Sequence, residues 1–123
     1  MTSDVGILGA LKRKREVILS VKGRVTGRVS SRHVWFALSK NEKSIYLIPV
    51  NGRKTQWYLN VRKEPRVTIR VGAHAFTEKI AEVEQGKFRK VSETFAAKYG
   101  KDEMEAYYPR KEVALEVPLP ASS

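Results

Sequence analysis

The stretch Asn51–Gly72 reads NGRKTQWYLNVRKEPRVTIRVG, and it decides how the chain is expected to fold. It opens with a turn that carries two cations and a hydroxyl, Arg53-Lys54-Thr55. A helical pattern over Gln56–Lys63 follows and stops before Pro65, because proline disfavours helical backbone in the residue that precedes it. Alternation of apolar and polar residues then predicts a half-buried strand over Arg66–Val71. The stretch therefore predicts a short helix inserted between strands.

The flanking sequence extends this pattern to six strands and three further helices. Apolar or alternating segments predict the other strands, Glu16–Val21, Arg28–Leu38, Ser44–Val50, Phe76–Val83 and Glu112–Leu119. Further helices are expected over Val5–Arg15, Gly86–Tyr99 and Asp102–Tyr107, the last capped by Asp102. Strands joined mostly by tight turns predict one mainly β, α+β domain over residues 1–123, an antiparallel barrel of about six strands with peripheral helices. Residues 1–15 form its N-terminal helix and residues 120–123 its tail.

The composition excludes several classes of protein. The chain has 123 residues and no cysteine, so it forms neither disulfides nor thiolate metal sites. Its two histidines, His33 and His74, are too few for a typical zinc site and are expected in turns or on the surface. The apolar runs are too short to span a bilayer and the N-terminus lacks the core of a signal peptide. These features predict a cytoplasmic protein without a metal centre.

The net charge of +11 is unevenly distributed along the chain. Residues 1–70 contain 16 Lys and Arg against 4 Asp and Glu, whereas residues 71–123 contain 8 against 9. Such asymmetry indicates an anionic partner, which is a phosphorylated ligand, a nucleic acid or a membrane surface. The alternative is that the cations only keep a small protein in solution.

Two basic segments are candidate phosphate sites. Arg53, Lys54 and Thr55 precede a helix, where free N–H groups and the positive end of the helix dipole favour an anion. The alternative for this triplet is an exposed turn in which Thr55 caps the helix. The second segment contains Arg28, Ser30 and Arg32 and is interpreted as a basic turn. It either closes on the same phosphate or an anionic cofactor tail, or is a plain hairpin.

Several motifs resemble the deazaflavin-dependent nitroreductase family, within the split β-barrel flavoproteins typified by pyridoxamine-phosphate oxidase. They are Asn51-Gly52, Trp57-Tyr58-Leu59-Asn60-Val61 and Pro65-Arg66-Val67-Thr68. The segment Gly27–Arg32 is similar to the family's Gly-Arg-Lys-Ser-Gly-Lys turn. The alternation of Val113, Leu115 and Val117 is similar to its last barrel strand. The resemblance extends over roughly residues 20–119.

The resemblance implies a split β-barrel that binds a phosphorylated flavin-type cofactor as a homodimer and passes hydride or electrons to a small organic acceptor. The cofactor is either coenzyme F-420, a deazaflavin, or FMN. The turn before Trp57 is shorter than is usual in the family and looks closer to the phosphate-binding segment of FMN members. Val34-Trp35-Phe36 stands where many deazaflavin enzymes carry Arg and Thr. Both cofactors therefore stay open.

Aromatic residues supply the remaining candidate contacts. Trp57 is expected beside the cofactor, since flat aromatic rings stack well on a flavin-like ring. The family's tyrosines near the C-terminal helices lie by the substrate, which implies a substrate pocket at Tyr99, Tyr107 and Tyr108. Trp35 is assigned to the same pocket as a further flat ring. The alternative is that most of these aromatic residues belong to the core or to a dimer interface. The sequence shows no nucleophile–base arrangement and identifies no catalytic residue. This fits hydride transfer, in which the cofactor performs the chemistry.

Two other functions are compatible with the same sequence. A basic β-barrel without enzymatic activity would bind nucleic acid through Lys12–Arg15 and the cationic strands. In that case Trp35-Phe36 beside Arg32 would serve base stacking. A second alternative is a member of the family that binds the cofactor without turnover.

Overall fold

The computed structural model describes residues 6–108 and 113–120. Its helices are α1 (Ile7–Arg13), α2 (Gln56–Lys63), α3 (Phe88–Tyr99) and α4 (Lys101–Tyr107). Its strands are β1 (Glu16–Lys22), β2 (Val29–Trp35), β3 (Ala37–Leu38), β4 (Ser44–Leu47), β5 (Arg66–Val71), β6 (His74–Lys79), β7 (Ala81–Glu82) and β8 (Leu115–Pro118). Short 3₁₀ turns at Gly52–Lys54 and Gln85–Lys87 lead into α2 and α3. No helix within these ranges is both long enough and apolar enough to cross a membrane.

The strands form two antiparallel sheets of four strands each. The first sheet has the order β2-β1-β5-β6, and the second has the order β3-β4-β8-β7. Within the described residues the two sheets share no strand and do not close into one continuous barrel. This arrangement confirms the α+β class and is consistent with a split barrel, but it contains eight strand segments where the sequence predicts about six.

The difference in strand number arises at two buried residues. The predicted strand Arg28–Leu38 divides at Phe36 into β2 and β3, and the predicted strand Phe76–Val83 divides at Ile80 into β6 and β7. In both places the chain leaves the first sheet and enters the second. Phe36 and Ile80 are themselves buried and continue the apolar pattern. Alternation therefore reports burial correctly but does not show which strand the backbone pairs with.

Helix α3 supplies the hydrogen bonds for the backbone at Phe36. The hydroxyl of Tyr99 accepts from the Phe36 N–H at 3.1 Å and donates to the Arg15 carbonyl at 2.6 Å, with the Phe36 carbonyl 2.8 Å away. The ammonium of Lys98 donates to the Phe36 carbonyl at 2.9 Å. The chain thus changes sheets without leaving a buried backbone group unpaired, which would be unfavourable.

Two apolar clusters hold the elements together. The larger cluster contains inward-facing residues of β1 and β5, residues of β4 and β8, and one side of α2 that includes Trp57, Tyr58 and Val61. Ala10 and Leu11 of α1 belong to it as well. The smaller cluster joins Trp35 and Ala37 to α3, α4 and Ala114. Helices α3 and α4 are therefore anchored on the second sheet, next to the point where β2 passes into β3.

Some predicted element ends differ from the structure. Asp102 lies in the first turn of α4, whose N-cap is Gly100 with a φ of 95°, so the predicted cap is wrong. Glycine tolerates this backbone conformation and ends α3 there. The third strand ends at Leu47 because Pro49 follows. Helix α1 begins at Ile7 and β8 at Leu115, while Val5 and Glu112, the predicted starts, lie outside the described residues.

The substitution Tyr99→Phe is expected to lower the free energy of unfolding by about 1–3 kcal/mol, because the buried Phe36 N–H loses its acceptor. Urea unfolding at neutral pH measures the change. Tyr107→Phe is the matched control, since the Tyr107 ring is half-buried and stacks on Trp35 in the same cluster. Its effect should stay within about 0.5 kcal/mol. Equal losses in the two variants would show that the Tyr99 hydroxyl does not stabilise the strand break.

Candidate functional site

A glycine-rich basic turn joins β1 to β2. The Gly23 N–H donates to the Arg28 carbonyl at 2.8 Å, and the Gly27 N–H donates to the Gly23 carbonyl at 3.0 Å. Gly27 has a φ of 76°, a conformation that favours glycine. The turn is therefore Gly23–Arg28. Ser30 and Arg32, which the sequence analysis assigns to a basic turn, lie instead within β2.

The glycine spacing could have placed this turn correctly. The family pattern Gly-Arg-Lys-Ser-Gly-Lys matches Gly23–Arg28 at both glycines, at Arg24, at the hydroxyl of Thr26 and at the final cation. The segment Gly27–Arg32 lacks the second glycine, because Ser31 stands there. A four-residue shift of the alignment therefore placed the predicted turn at Gly27–Arg32 and left Arg24 out of the predicted residues.

Arg24 attaches the basic turn to helix α2. Its backbone N–H donates to the Asn60 side-chain oxygen at 3.1 Å, and its guanidinium donates to the same oxygen at 2.7 Å. A further bond of 3.1 Å reaches the side-chain oxygen of Gln56, the first residue of α2. The turn and the start of α2 are thus fixed to each other. Beside them lies an open hollow lined by Lys22, Arg24, Thr26, Gly27, Lys63 and Glu64, among others.

The three residues before α2, Arg53, Lys54 and Thr55, have different surroundings. Arg53 donates to the Tyr58 hydroxyl at 2.9 Å and lies 3.7 Å from the Glu82 carboxylate, to which Tyr58 donates at 2.6 Å. Thr55 is buried, and its hydroxyl accepts from the Asn51 N–H at 2.8 Å without capping the helix. Lys54 is exposed. Lys54 therefore differs from Arg53 and Thr55, whose side chains form hydrogen bonds with other described residues.

The remaining candidates lie at the end of the basic turn, which is Arg28, and along the edge strand that follows it, which contains Ser30 and Arg32. Arg28, Ser30 and Arg32 are all exposed, and β2 is the outer strand of the first sheet. Ser30 is opposite Val21 in the register and Arg32 is opposite Leu19. The two side chains therefore share one face of the strand, since side chains alternate along it. The structure places them after the basic turn, not within it.

The four predicted substrate-pocket residues do come together. Trp35 lies between Tyr99 and Tyr107, with ring centroids 4.0 Å away on each side and interplanar angles of 9° and 16°. Tyr108 meets Trp35 edge-on at 5.9 Å. Because both faces of Trp35 are covered, this ring is not available to stack on a ligand in the described arrangement. Trp57, predicted beside the cofactor, is 3% exposed and lies in the larger core cluster.

Cations surround this aromatic cluster. The Arg15 guanidinium lies 5.2 Å from the Trp35 ring centroid and 5.0 Å from that of Tyr99. The Lys98 ammonium lies 3.3 Å from the Phe36 ring centroid, a favourable cation–π distance. Burial, and to a smaller extent the charge of Arg15, lower the pKa of Lys98 to about 8. Sequence reasoning missed Lys98, because a lysine in a helix gives no signal of what it faces.

The described residues do not support base stacking at Trp35-Phe36, which was part of the nucleic-acid alternative. Trp35 and Phe36 are 8% and 0% exposed, so they form no surface on which bases could stack. The described ranges contain no group of three or more His, Cys, Asp or Glu side chains placed to hold a metal ion. His33 is exposed beside Glu16, at 3.6 Å.

Comparisons with known proteins identify the same class of protein. The family model for F420H(2)-dependent quinone reductase matches residues 1–111. A solved F420-H2 dependent reductase (FDR-A) shares 16% identity at a TM-score of 0.66, covering 85% of this chain and 94% of that one. A structure described as a domain-swapped dimer gives the same identity and TM-score, with coverages of 85% and 80%. An FAD-binding protein of Mesorhizobium loti shares 14% identity at a TM-score of 0.66, with coverages of 98% and 91%.

These likenesses differ in what they establish. No curated protein matches the chain in sequence. The solved structures are too distant in sequence to show more than the fold, which is common to all three. The family match covers most of the chain and confirms the sequence-based prediction of a flavin- or deazaflavin-type oxidoreductase.

The tyrosines predict how the protein responds to alkali. Burial raises the pKa of all five, to about 12 for Tyr99. Unfolded tyrosines ionise near pH 10, so the folded state loses stability as the pH rises from there through about 12. Lys98, with its lowered pKa, acts in the opposite sense up to about pH 10.5.

We therefore expect the free energy of unfolding to fall between about pH 10.5 and 12. Phenolate absorbance and circular dichroism recorded on the same samples measure this, and phenolates should appear together with loss of secondary structure. Complete ionisation of the tyrosines near pH 10 in a chain with native circular dichroism would contradict the role assigned to burial.

Proposed function

Since this chain belongs to the F420H(2)-dependent quinone reductase family, we propose that it uses the reduced deazaflavin coenzyme F-420 to reduce an organic acceptor of the quinone class. The observation that carries the proposal is the family match over residues 1–111, nearly the whole chain. The choice of the deazaflavin over FMN rests on that match, because the fold is shared with an FAD-binding protein.

The basic turn is the proposed phosphate site. It offers Arg24, Arg28 and the Thr26 hydroxyl around a glycine backbone that a Cβ would obstruct, since a side chain at Gly23 would meet the Arg28 carbonyl at 3.2 Å. Lys22 and Lys63 add positive charge to the hollow beside it, against Glu64 alone. This donor set suits a phosphate or the carboxylates of an anionic tail. Lys54 and Arg32 are proposed as outer contacts of the same anion.

Arg53 and Thr55 have a supporting part in this proposal. Arg53 is held by Tyr58 and Glu82, and it ties the start of α2 to the second sheet. Thr55 closes the loop before α2 through its bond from Asn51. Both residues thereby fix the position of the helix to which Arg24 is bonded. We expect Arg53 and Thr55 to contribute to cofactor binding by holding helix α2 in this position.

When bound, the reduced deazaflavin supplies a hydride to the acceptor. The chain itself has to bind the anionic part of the cofactor, orient its ring and exclude water. The basic turn and α2 serve the first task. The aromatic cluster around Trp35, with Tyr99, Tyr107 and Tyr108, is proposed to form a rigid wall of the acceptor side instead of a stacking platform, since its rings stack on one another.

Titration of coenzyme F-420 and of FMN, followed by equilibrium dialysis, tests the proposed site. Arg24→Gln is expected to weaken binding of F-420 by about tenfold or more, since it removes one charge-assisted contact worth about 1.4 kcal/mol. Lys54→Ala should have a smaller effect. The matched control is Lys43→Ala, which removes an exposed cation from the turn between β3 and β4.

The possible outcomes of that titration test the phosphate site, the choice of cofactor and the oxidoreductase proposal separately. Equal weakening by Arg24→Gln and Lys43→Ala would show that only the overall charge attracts the cofactor. Tight binding of FMN but not of F-420 would reverse the choice of cofactor. If neither cofactor binds, the oxidoreductase proposal is wrong.

We further propose that two copies associate through the edge strand β2. Residues 29–33 of this strand are exposed, and Val29 is 68% exposed, which is unusual for an apolar residue on an edge strand. The structure described as a domain-swapped dimer supports association within this fold. The sequence also predicts a homodimer.

The mass in solution tests the dimer. Light scattering on the wild type is expected to give twice the chain mass of 14.0 kDa. Val29→Lys replaces the exposed apolar residue at the start of this edge strand with a cation and should shift the protein to the monomer. Val25→Lys, in the exposed turn of the same hairpin, is the control that should leave the mass unchanged. A monomeric wild type would overturn this proposal.

A further inference from the structure

A groove separates helix α3 from α1 and β3. Its lining includes Leu11, Phe36, Leu38, Thr94, Ala97 and Lys98, and its volume is about 320 Å³. That volume is within the range of small-molecule sites, and most of these side chains are apolar, as is usual for such sites.

Two lysines, Lys12 and Lys98, line this largely apolar groove, and Lys12 is paired with Glu42 at 3.2 Å. Lys98 places its ammonium over the Phe36 ring at 3.3 Å and donates one hydrogen bond, of 2.9 Å, to the Phe36 carbonyl. In the part of the chain that the structure describes, this is its one hydrogen-bond acceptor. An ammonium has three donors, so its other N–H groups can bind a ligand oxygen.

We propose that this groove binds the quinone acceptor and that Lys98 is the proton donor to the quinone oxygen. The inference rests on the proposed function and adds to it the position of the acceptor and a catalytic residue. The apolar walls suit a flat, uncharged ring with an aliphatic substituent. The ammonium suits a carbonyl oxygen that gains negative charge as the ring is reduced.

The proton balance requires such a group. A quinone that accepts a hydride, which is one hydrogen nucleus with two electrons, becomes a hydroquinone monoanion. It needs one further proton on the oxygen that carries the charge. Lys98 gives that proton as its N–H bond breaks, the neutral hydroquinone leaves, and the resulting amine takes a proton from water.

The surroundings of Lys98 set the pH range in which it can act. Arg15 and Lys12 of the preceding segment are cationic neighbours, and Lys12 is paired with Glu42 at 3.2 Å. Tyr99 stays protonated, because burial raises its pKa to about 12. Although it is lowered to about 8, the pKa of Lys98 is still above neutral pH, so most of the ammonium is charged there. The lowered pKa also makes Lys98 a better proton donor than a lysine with an ordinary pKa.

Binding of a quinone in the absence of any cofactor tests the groove on its own. The probe is 2,3-dimethyl-1,4-naphthoquinone, and equilibrium dialysis measures its affinity for the full chain. Ala97→Phe fills the exposed wall of the groove and is expected to weaken binding at least about tenfold. Lys90→Met, on the same helix but outside this groove, is the control and should bind as the wild type does. Equal binding by all three proteins would overturn the assignment of the groove.

The variant Lys98→Arg separates charge from proton transfer. Arginine keeps the cation and a donor for Phe36 but does not release a proton near neutral pH. We expect nearly unchanged probe binding, turnover lowered on the order of 100-fold, and loss of the alkaline limb near pH 8 from the pH profile of the wild type. Circular dichroism and urea unfolding verify that the Lys98→Arg variant is folded. A second variant, Lys98→Met, removes the ammonium. If it binds the probe as tightly as the wild type does, the ammonium does not contact the quinone.

The two proposals fail in different ways. If F-420 does not bind but the probe binds in the groove, the cofactor assignment is wrong and the assignment of the groove as a quinone site is upheld. If F-420 binds and Lys98→Arg turns over at the wild-type rate with the same pH profile, the proton-donor role of Lys98 is wrong.

Discussion

The fold depends on how the backbone of one residue, Phe36, is bonded. At this residue the chain leaves the first sheet and enters the second, so the regular strand ladder is interrupted in a fully buried place. Tyr99 and Lys98 of helix α3 bond both the N–H and the carbonyl of Phe36. Without these contacts the buried groups would be unpaired, and the split between the sheets would be strongly disfavoured.

The same contacts place the functional groups. Because Tyr99 and Lys98 must reach Phe36, helix α3 lies against the joint between the sheets, and the aromatic stack around Trp35 forms beside it. The ammonium of Lys98 lies over the Phe36 ring at the edge of an apolar groove, and partial burial together with the charge of Arg15 lowers its pKa. A residue needed for stability of the strand break is thus also the charged group of a candidate acceptor site. The position of Lys98 that allows its hydrogen bond to Phe36 is also the position in which its ammonium faces the groove.

The basic half of the site is organised separately. Arg24 bonds the turn between β1 and β2 to helix α2, and Arg53 bonds the start of that helix to Glu82 of the second sheet. The resulting positive region is at the exposed side of α2, whose opposite side, with Trp57 and Val61, packs in the core. An amphipathic helix therefore connects the proposed anion-binding surface to the core.

The sequence by itself determined the class of fold, the helix–strand order around Asn51–Gly72 and the flavin-type family, because periodicity and local motifs depend on neighbouring residues. It also identified Trp35, Tyr99, Tyr107 and Tyr108 as one group. Only the tertiary structure decided that Phe36 and Ile80 divide strands, that Trp57 is buried, and that Arg24 and Lys98 occupy the candidate sites. These features depend on contacts between distant segments, such as the bond between Lys98 and Phe36, and no local pattern records them.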